Sequence, residues 1–314
     1  MKLEHFGLAG PGDCRVVFSA TGPELAQAVE ECRTAAPELS KEDLLTEAVN
    51  RAILAGFPAL YEQLVAQQGL IPLSDPDFGL LEVSEETGFR AGAEFFCLPP
   101  LELGRCTGFV QAIRPRPIRK LTLELEINRN YGDADRAADP AGKQELRAQA
   151  ARKLYAQRCA QAEAVARQEL LNQLGAEVKG ELPKQLLAQN YFAEQRAFNL
   201  RLQANGVNFD QYLQVQGQTV EQFRTWLHQL AEQKLRSRLG LLLVAQQEGL
   251  WPAEEEVDAA LSAWDPKIQG EKTFAANDRQ KLRRRLAADR AAAFVLAHST
   301  LTPPPEQPVL EQDI

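Results

Sequence analysis

Apolar residues recur at helical spacing in the first part of the chain, behind two capping patterns. Thr21 and the acid three positions later form a capping box, which predicts that a helix begins after Thr21. Ser40 begins a second run, in which apolar residues repeat every three or four positions from Leu44 to Leu64, and this predicts a second helix. Pro58 falls inside that run, so we expect a kink or two abutting helices there.

Short runs of β-prone residues flank these helices and predict strands. Cys14–Ser19 precedes the first helix, and Phe78–Ser84, Gly88–Leu98 and Thr107–Ile113 follow the second. A polar turn separates Phe78–Ser84 from Gly88–Leu98, so a hairpin is the simplest interpretation of these two strands. Residues 1–13 contain Gly and Pro and are predicted to be loose. The first part of the chain is therefore predicted to be an α+β domain, with a small antiparallel sheet packed by two helices.

The segment Arg114–Asn130 carries two conflicting patterns. Strict alternation of apolar residues favours a strand, whereas its content of Leu and Glu favours a helix. We favour the strand, because the alternation runs over four apolar positions, and we interpret the polar segment Tyr131–Lys143 as a linker or exposed loop. The alternating positions are Leu121, Leu123, Leu125 and Ile127.

From Gln144 onward the pattern is helical almost throughout. Pro183 is placed to open one helix and Gly206 to close it. Thr219 begins a capping box for a long helix that runs to about Glu248. The second part is therefore predicted to be an extended all-α domain, which makes the chain mainly α overall.

These patterns divide the chain into four parts. The last of them is rich in proline and is expected to be disordered. The parts are an α+β domain (1–113), a linker (114–143), a helical domain (144–301) and a tail (302–314).

Composition and charge narrow the class of protein. The net charge is -8, which argues against a general nucleic-acid binder because phosphate contacts need a basic field. We therefore expect no DNA partner. No apolar run is long enough to span a bilayer, and the N-terminus does not resemble a signal peptide, so we expect no membrane partner and a cytoplasmic location.

The sequence offers no catalytic or metal-binding constellation. Five cysteines occur without a CxxC pair and are expected to be reduced and mostly buried. Three histidines lie far apart, so neither a metal site nor a cofactor is predicted. GLAGPG at residues 7–12 lacks the Lys-Ser/Thr of a phosphate loop, and no nucleophile elbow is present. The chain is not expected to be an enzyme.

The helical layout of Glu181–Leu261 resembles the C-terminal chaperone domain of bacterial trigger factor. A helix opened by Pro, a short Phe/Tyr helix, a Gly break, a long helix and a Pro-acid start follow one another there. The earlier segments QQGLIPLSDPDF (67–78) and PPLELGRCTGFVQAI (99–113) are similar to the end of the family's ribosome-binding domain. The resemblance implies an ATP-independent chaperone that holds unfolded or nascent polypeptides in a cradle between helical arms.

Two departures from the family change what the resemblance implies. The family's GFRxGK-type ribosome-contact loop is replaced by CRTAAPELSKEDLL (32–45), so ribosome binding is left open. The GFRAG at residues 88–92 falls in the hairpin and takes no such role. The family's FKBP-like domain also has no counterpart, because Arg114–Lys143 is too short to hold one, and prolyl-isomerase activity is therefore expected to be absent.

Apolar residues on the predicted arms are the candidates for client binding. Each could instead belong to the core of an arm, since large apolar side chains are usually buried. A basic run in the last helix could contact ribosomal RNA or an acidic client, but we interpret it as a solvated helix face. The client-binding candidates are Tyr191, Phe192, Phe198, Leu202, Phe209, Tyr212, Phe223 and Trp226, and the basic run is Arg279, Lys281, Arg283, Arg284, Arg285 and Arg290.

An alternative function is a dedicated scaffold or assembly factor whose arms clamp one folded partner. A pull-down distinguishes the two, because a chaperone captures many unrelated unfolded proteins and a scaffold captures one stoichiometric partner. The sequence leaves open the identity of the client and whether the chain forms a homodimer.

Overall fold

The computed structural model describes residues 1–38, 40–263 and 275–310. Within them the chain is mainly helical, with a small antiparallel sheet near the N-terminus, which confirms the predicted fold class. The elements in chain order are β1 (Lys2–Gly10), β2 (Asp13–Thr21), α1 (Gly22–Ala35), α2 (Lys41–Gln68), β3 (Asp77–Ser84), β4 (Gly88–Phe96), β5 (Glu102–Leu103), β6 (Val110–Ala112), α3 (Lys120–Ala137), α4 (Pro140–Ala176), β7 (Val178–Lys179), α5 (Lys184–Ala204), α6 (Phe209–Gln216), α7 (Val220–Gln247), α8 (Glu254–Ser262), α9 (Ala275–Ala297) and β8 (Thr300–Thr302).

The N-terminal sheet has four antiparallel strands in the order β1-β2-β4-β3. Strands β3 and β4 form the predicted hairpin, with Phe78 opposite Ala93. Residues 1–13, which were predicted to be loose, instead contribute β1, so that prediction was wrong. Leu3 and Phe6 of β1 pack against the core, and backbone pairing with β2 holds the edge strand despite its glycines.

Helices α1 and α2 begin at the residues that the capping patterns predicted. The Glu24 carboxylate accepts a hydrogen bond from the Thr21 N–H at 2.7 Å. Ser40 Oγ accepts one from the Asp43 N–H at 3.2 Å. A single helix runs through Pro58 to the left-handed Gly69, so two abutting helices, one of our two expectations, are not found.

The core of the N-terminal sheet is an aromatic cluster. The Phe57 ring of α2 lies 4.8 Å from Phe18 of β2 and 5.8 Å from Tyr61. Tyr61 in turn meets Phe95 of β4 edge-on at 5.2 Å. Such pairs contribute beyond their buried area, so this cluster fixes α2 on the sheet.

The segment around Leu121 forms helix α3, not the strand that the alternation favoured. Leu123 packs against the cluster that includes Ala151 and Leu154 of α4, and Ile127, one helical turn later, is buried. The other two alternating positions are exposed. The alternation thus contained a pair at helical spacing, and packing on α4 decided between the two patterns. The predicted linker 131–143 is also largely helical, and Asp139 caps α4.

The chain divides into two compact units, each built from separate stretches of sequence. Unit 1 contains Met1–Gly104 and Val178–Ala291, and unit 2 contains Arg105–Glu177 and Ala292–Ile314. These units do not coincide with the four sequential parts predicted above. The reason is long-range strand pairing: β5 pairs with β7 inside unit 1, and β6 pairs in parallel with β8 inside unit 2.

The start of the predicted tail is ordered by contacts in unit 2. The Tyr155 hydroxyl donates to the Pro305 carbonyl at 2.6 Å, and the Ile118 N–H donates to the Val309 carbonyl at 2.8 Å. The tail therefore has a defined path as far as Leu310, where the described residues end, and the expected disorder does not hold for residues 302–310.

Candidate functional site

Helices α5, α6 and α7 of unit 1, which we call the arm, are joined by two tight turns. Asn208 Oδ1 accepts a hydrogen bond from the Gln211 N–H at 2.7 Å at the start of α6. Thr219 Oγ1 accepts one from the Gln222 N–H at 3.2 Å at the start of α7. The predicted breaks near Gly206 and Thr219 are confirmed, and they allow the chain to reverse direction between α5 and α7.

Apolar and polar contacts hold α5 along α7. Near the first residues of α5, Leu186 packs with Leu235, Leu239 and Phe96 of β4 in one buried cluster. Further along, the Asn190 side chain donates to the Ala231 carbonyl at 2.6 Å. These contacts fix this end of the arm against the N-terminal sheet within unit 1.

The other end of the arm has an aromatic core of its own. Phe198 of α5 and Phe223 of α7 are buried, with ring centroids 4.8 Å apart. Tyr212 and Phe209 both contribute rings from α6: Tyr212 lies 5.0 Å from Phe198, and Phe209 lies 5.0 Å from Phe223. Leu213 and the neighbouring apolar residues complete the cluster. This end of the arm therefore has a packed core of its own.

The structure separates the predicted client-binding candidates into two groups. Six form or line the arm's aromatic core, and two are exposed: Phe192 at 62% and Trp226 at 39%. Phe192 and Trp226 are thus the most accessible of the eight, while Phe198 and Phe223 are buried and the other four are partly buried. The six are Tyr191, Phe198, Leu202, Phe209, Tyr212 and Phe223.

Other exposed apolar residues on the arm were missed by the sequence reasoning. Leu200 is 59% exposed and Val215 is 82% exposed. Each follows a buried core residue, Phe198 or Leu213, by two positions, which turns it about 200° away on a helix. This offset of two positions from an aromatic or leucine core residue is the sequence signal that could have identified them. Val207 and Val220 are exposed beside the turns.

The basic run of α9 is engaged in ion pairs within unit 1. Arg279 pairs with both Glu254 and Asp258 of α8, and Lys281 pairs with Asp75 at 2.8 Å. Arg290 bonds to Glu256 at 2.6 Å, and this bond lowers the pKa of the Glu256 carboxyl. The interpretation of the run as a solvated helix face is therefore wrong for Arg279, Lys281 and Arg290. Much of the run holds α8 and the segment before β3 in place.

Replacing Arg279 with Ala should loosen helix α8. The substitution removes two charge-assisted bonds, and exposed pairs of this kind contribute about 1 kcal/mol or less. We expect hydrogen exchange of the α8 amides to become about fivefold faster, measured by mass spectrometry. Arg285→Ala is the matched control, because Arg285 is exposed on the same helix and forms no ion pair among the described residues. Equal exchange in the two variants would contradict the assignment.

The described part of the chain has neither a cluster of metal ligands nor a membrane-spanning helix. No group of three or more His, Cys, Asp or Glu side chains is placed to hold a metal ion there. Over the same residues, every helix is too short or too polar to cross a bilayer. The five cysteines are free, although Cys14 and Cys97 have sulfur atoms 3.1 Å apart in the core of the sheet.

Comparison with known proteins identifies the helical part of the chain. Residues 144–296 match the family described as the C-terminus of bacterial trigger factor protein (TF). A trigger factor of Lysinibacillus sphaericus is 30% identical over 116 residues, which cover 37% of this chain and 27% of that protein. A trigger factor of Staphylococcus epidermidis is 25% identical over 152 residues, which cover 48% of this chain and 34% of that protein.

A solved structure from work on promiscuous substrate recognition by the trigger factor chaperone aligns over 95% of this chain and 99% of its own, at 12% identity and a TM-score of 0.42. The chain spans 27% and 34% of the length of the two trigger factors named above. The family match includes the whole arm, and the resemblance that its helix order predicts is confirmed. Residues 144–296 of this chain are therefore similar to the C-terminal region of bacterial trigger factor, and the chain resembles that family over this part.

Proposed function

We propose that this protein is an ATP-independent chaperone that binds unfolded or nascent polypeptides on the arm. The observation that carries the proposal is the set of apolar side chains exposed on a rigid arm. Six large apolar residues between positions 192 and 226 are exposed, while the aromatic core beneath them is filled. They are Phe192, Leu200, Val207, Val215, Val220 and Trp226.

The distribution of these residues suits weak binding at many points. Single exposed apolar residues are common on soluble proteins, so no one of them is a site by itself. Because they are spread over three helices and a connection between them, they can cover several apolar segments of an unfolded chain, and each contact removes apolar surface from water. Because each contact is small, the client dissociates quickly and can fold after release.

The remaining features of the proposal follow from the family resemblance. Residues 1–113 would be the counterpart of the family's N-terminal domain, and residues 144–301 the counterpart of its chaperone domain. Prolyl-isomerase activity would be absent, and in support α3 and the start of α4 occupy most of the interval 114–143. We place the protein in the cytoplasm, where unfolded and nascent chains are available, and leave a ribosome contact to a co-sedimentation measurement.

Removing the exposed apolar groups should reduce chaperone activity without unfolding the arm. The triple variant Phe192→Ser, Leu200→Ser and Val215→Ser changes exposed positions outside the aromatic core. We expect it to suppress aggregation of a thermally unfolding client at least about fivefold less well than the parent protein, because about 1 kcal/mol or more of apolar contact is lost. Light scattering at stoichiometric excess measures the effect.

The matched control is Leu8→Ser, Leu54→Ser and Leu125→Ser, which removes three exposed apolar residues outside the arm. The control should suppress aggregation as well as the parent protein does. Equal activity of the two triple variants would contradict a binding surface on the arm. Capture of one folded protein at a fixed ratio, with no effect on aggregation, would instead favour the scaffold function.

A further inference from the structure

A groove in unit 2, away from the arm in sequence, combines several arginines with an aliphatic floor. It lies where β6 and the extended segment after it meet the middle of α4, and its volume is about 940 Å³. That volume is at the upper end of those of small-molecule sites, so it can accept several residues of a polypeptide. We call it the arginine groove; its lining includes Arg114, Arg116, Arg119, Arg158, Ala162 and Val165.

The charged residues that line the groove are all arginines. They come from two sides, with Arg114, Arg116 and Arg119 on the extended segment and Arg158 on α4. The Arg158 Nη1 donates to the Arg116 carbonyl at 2.9 Å, which positions that guanidinium at the groove. Among the described residues, no carboxylate forms an ion pair with Arg114, Arg116 or Arg158.

This local charge runs against the balance of the whole chain, whose net charge is -8. Elsewhere the arginines are commonly neutralised, as Arg279 and Arg290 are by acids of α8. A guanidinium presents several donors in a plane that matches a carboxylate, so adjacent arginines favour a ligand with several carboxylates.

The floor of the groove indicates what lies between those carboxylates. Ala112, Pro117, Ala162 and Val165 are aliphatic, and Val165 is 61% exposed. None of the described lining residues is aromatic, so the groove lacks the stacking surface on which proteins bind single-stranded nucleic acid. An extended polypeptide alternates its side chains between two directions, so it can meet arginines with one set and the aliphatic floor with the other.

We propose that the arginine groove binds an extended segment of a client polypeptide in which acidic residues alternate with aliphatic ones. The proposal rests on the proposed chaperone function for the kind of partner, and it adds a second contact of different chemistry. The arm covers apolar segments, whereas the groove holds segments that carry negative charge. A client with both kinds of segment would be held at two places.

The test uses the full chain and a labelled peptide of about 12 residues in which Glu alternates with Val. Fluorescence anisotropy at low salt should show binding that weakens as NaCl is added, because exposed charge pairs are screened. The same peptide with Gln in place of Glu should bind at least about tenfold more weakly. A single-stranded RNA of equal length should bind less tightly than the acidic peptide, and tighter binding of the RNA would overturn the proposal.

Two charge-matched double variants separate the groove from the overall charge. Arg114→Gln with Arg116→Gln should weaken peptide binding about tenfold, since both side chains line the groove and neither is buried. Arg147→Gln with Arg152→Gln makes the same change in charge on exposed positions of α4 outside the groove, and it should leave binding within about twofold. Equal losses in the two double variants, or no loss in either, would overturn the groove.

The outcome also distinguishes this proposal from the proposed function. Absent peptide binding together with intact aggregation suppression overturns the groove and leaves the chaperone function standing. The protein could instead bind the peptide through Arg114 and Arg116 without suppressing aggregation. That result would support the groove and contradict only the proposed chaperone function.

Discussion

Replacing Phe223 with Ala should unfold the end of the arm that contains the aromatic core and remove the protein's chaperone activity. Phe223 is 4% exposed, and its ring lies within 4.8 to 5.5 Å of the rings of Phe198, Phe209 and Trp226. Truncation of a buried Phe costs about 3–5 kcal/mol, because the transfer free energy is lost and a cavity remains. A short helix such as α6 has little stability without tertiary packing, so the loss falls mainly on that helix and its neighbours.

The measurement is hydrogen exchange followed by mass spectrometry. Amides of α6 and of the second half of α5 should exchange at least about a hundredfold faster, as a local loss of about 3 kcal/mol implies. Amides of β2 and β4 should be unchanged, because their core shares no residue with the aromatic core of the arm. Phe223→Leu is the control; it keeps most of the volume and should show a much smaller change.

The same variant distinguishes a rigid arm from a merely apolar one. If exposed residues alone determined activity, unfolding the arm would preserve or raise aggregation suppression. Because we attribute activity to side chains displayed on a fixed core, Phe223→Ala should lose it as the triple Ser variant does. Retained activity with accelerated exchange in α6 would show that the folded arm is not required.

Local sequence signals predicted the ends of elements well, because those signals act over a few residues. Ser40 and Thr219 cap helices through contacts with amides three positions later, and the predicted helices begin there. The left-handed Gly69 closes α2 in the same local way. Nothing beyond one turn of helix is needed to recognise such a cap.

The misses concern segments whose state depends on distant partners. Strand β1 exists because β2 offers it a backbone edge, and α3 exists because α4 offers Leu123 an apolar face. In the tail, Pro305 and Val309 find partners about 150 and 190 positions earlier in the sequence. Local periodicity does not reveal contacts between residues so far apart in sequence. The division into two interleaved units could therefore not be predicted.

For the client-binding candidates, the sequence predicted which helices carry them but not which of their side chains are buried. The sequence put the aromatic residues on the right helices, since helical spacing and Gly breaks are local. It could not tell which side of each helix faced its neighbour, so Phe198 and Phe223 were proposed to meet a client while Leu200 and Val215 were overlooked. The arginine groove was missed because Arg116 and Arg158 lie 42 positions apart and meet only in the folded unit.

Replacing Gly88 with Ala should disrupt the N-terminal sheet, and Gly69→Ala is the matched control. Gly88 opens β4 with φ +98, and a Cβ built there would lie 2.0 Å from the Ala20 carbonyl oxygen. That oxygen belongs to the backbone of β2, so relief of the clash requires β2 and β4 to separate at the end where Thr21 pairs with Gly88. Strained backbone costs about 1–3 kcal/mol and overpacking about 1–3 kcal/mol more.

Gly69→Ala is the control, because it carries the cost of backbone strain but not the cost of overpacking. Gly69 has φ +60, and nothing lies within 4 Å of its would-be Cβ. We expect it to lose about 1–2 kcal/mol, the penalty of a left-handed conformation for Ala. Gly88→Ala should lose about 2–6 kcal/mol and give faster hydrogen exchange along β2 and β4, or little soluble protein. The measurement is urea unfolding monitored by far-ultraviolet circular dichroism. Equal midpoints for the two variants would show that β2 and β4 can separate there without cost. In that case the close approach of Gly88 to Ala20 would not be what fixes this end of the sheet.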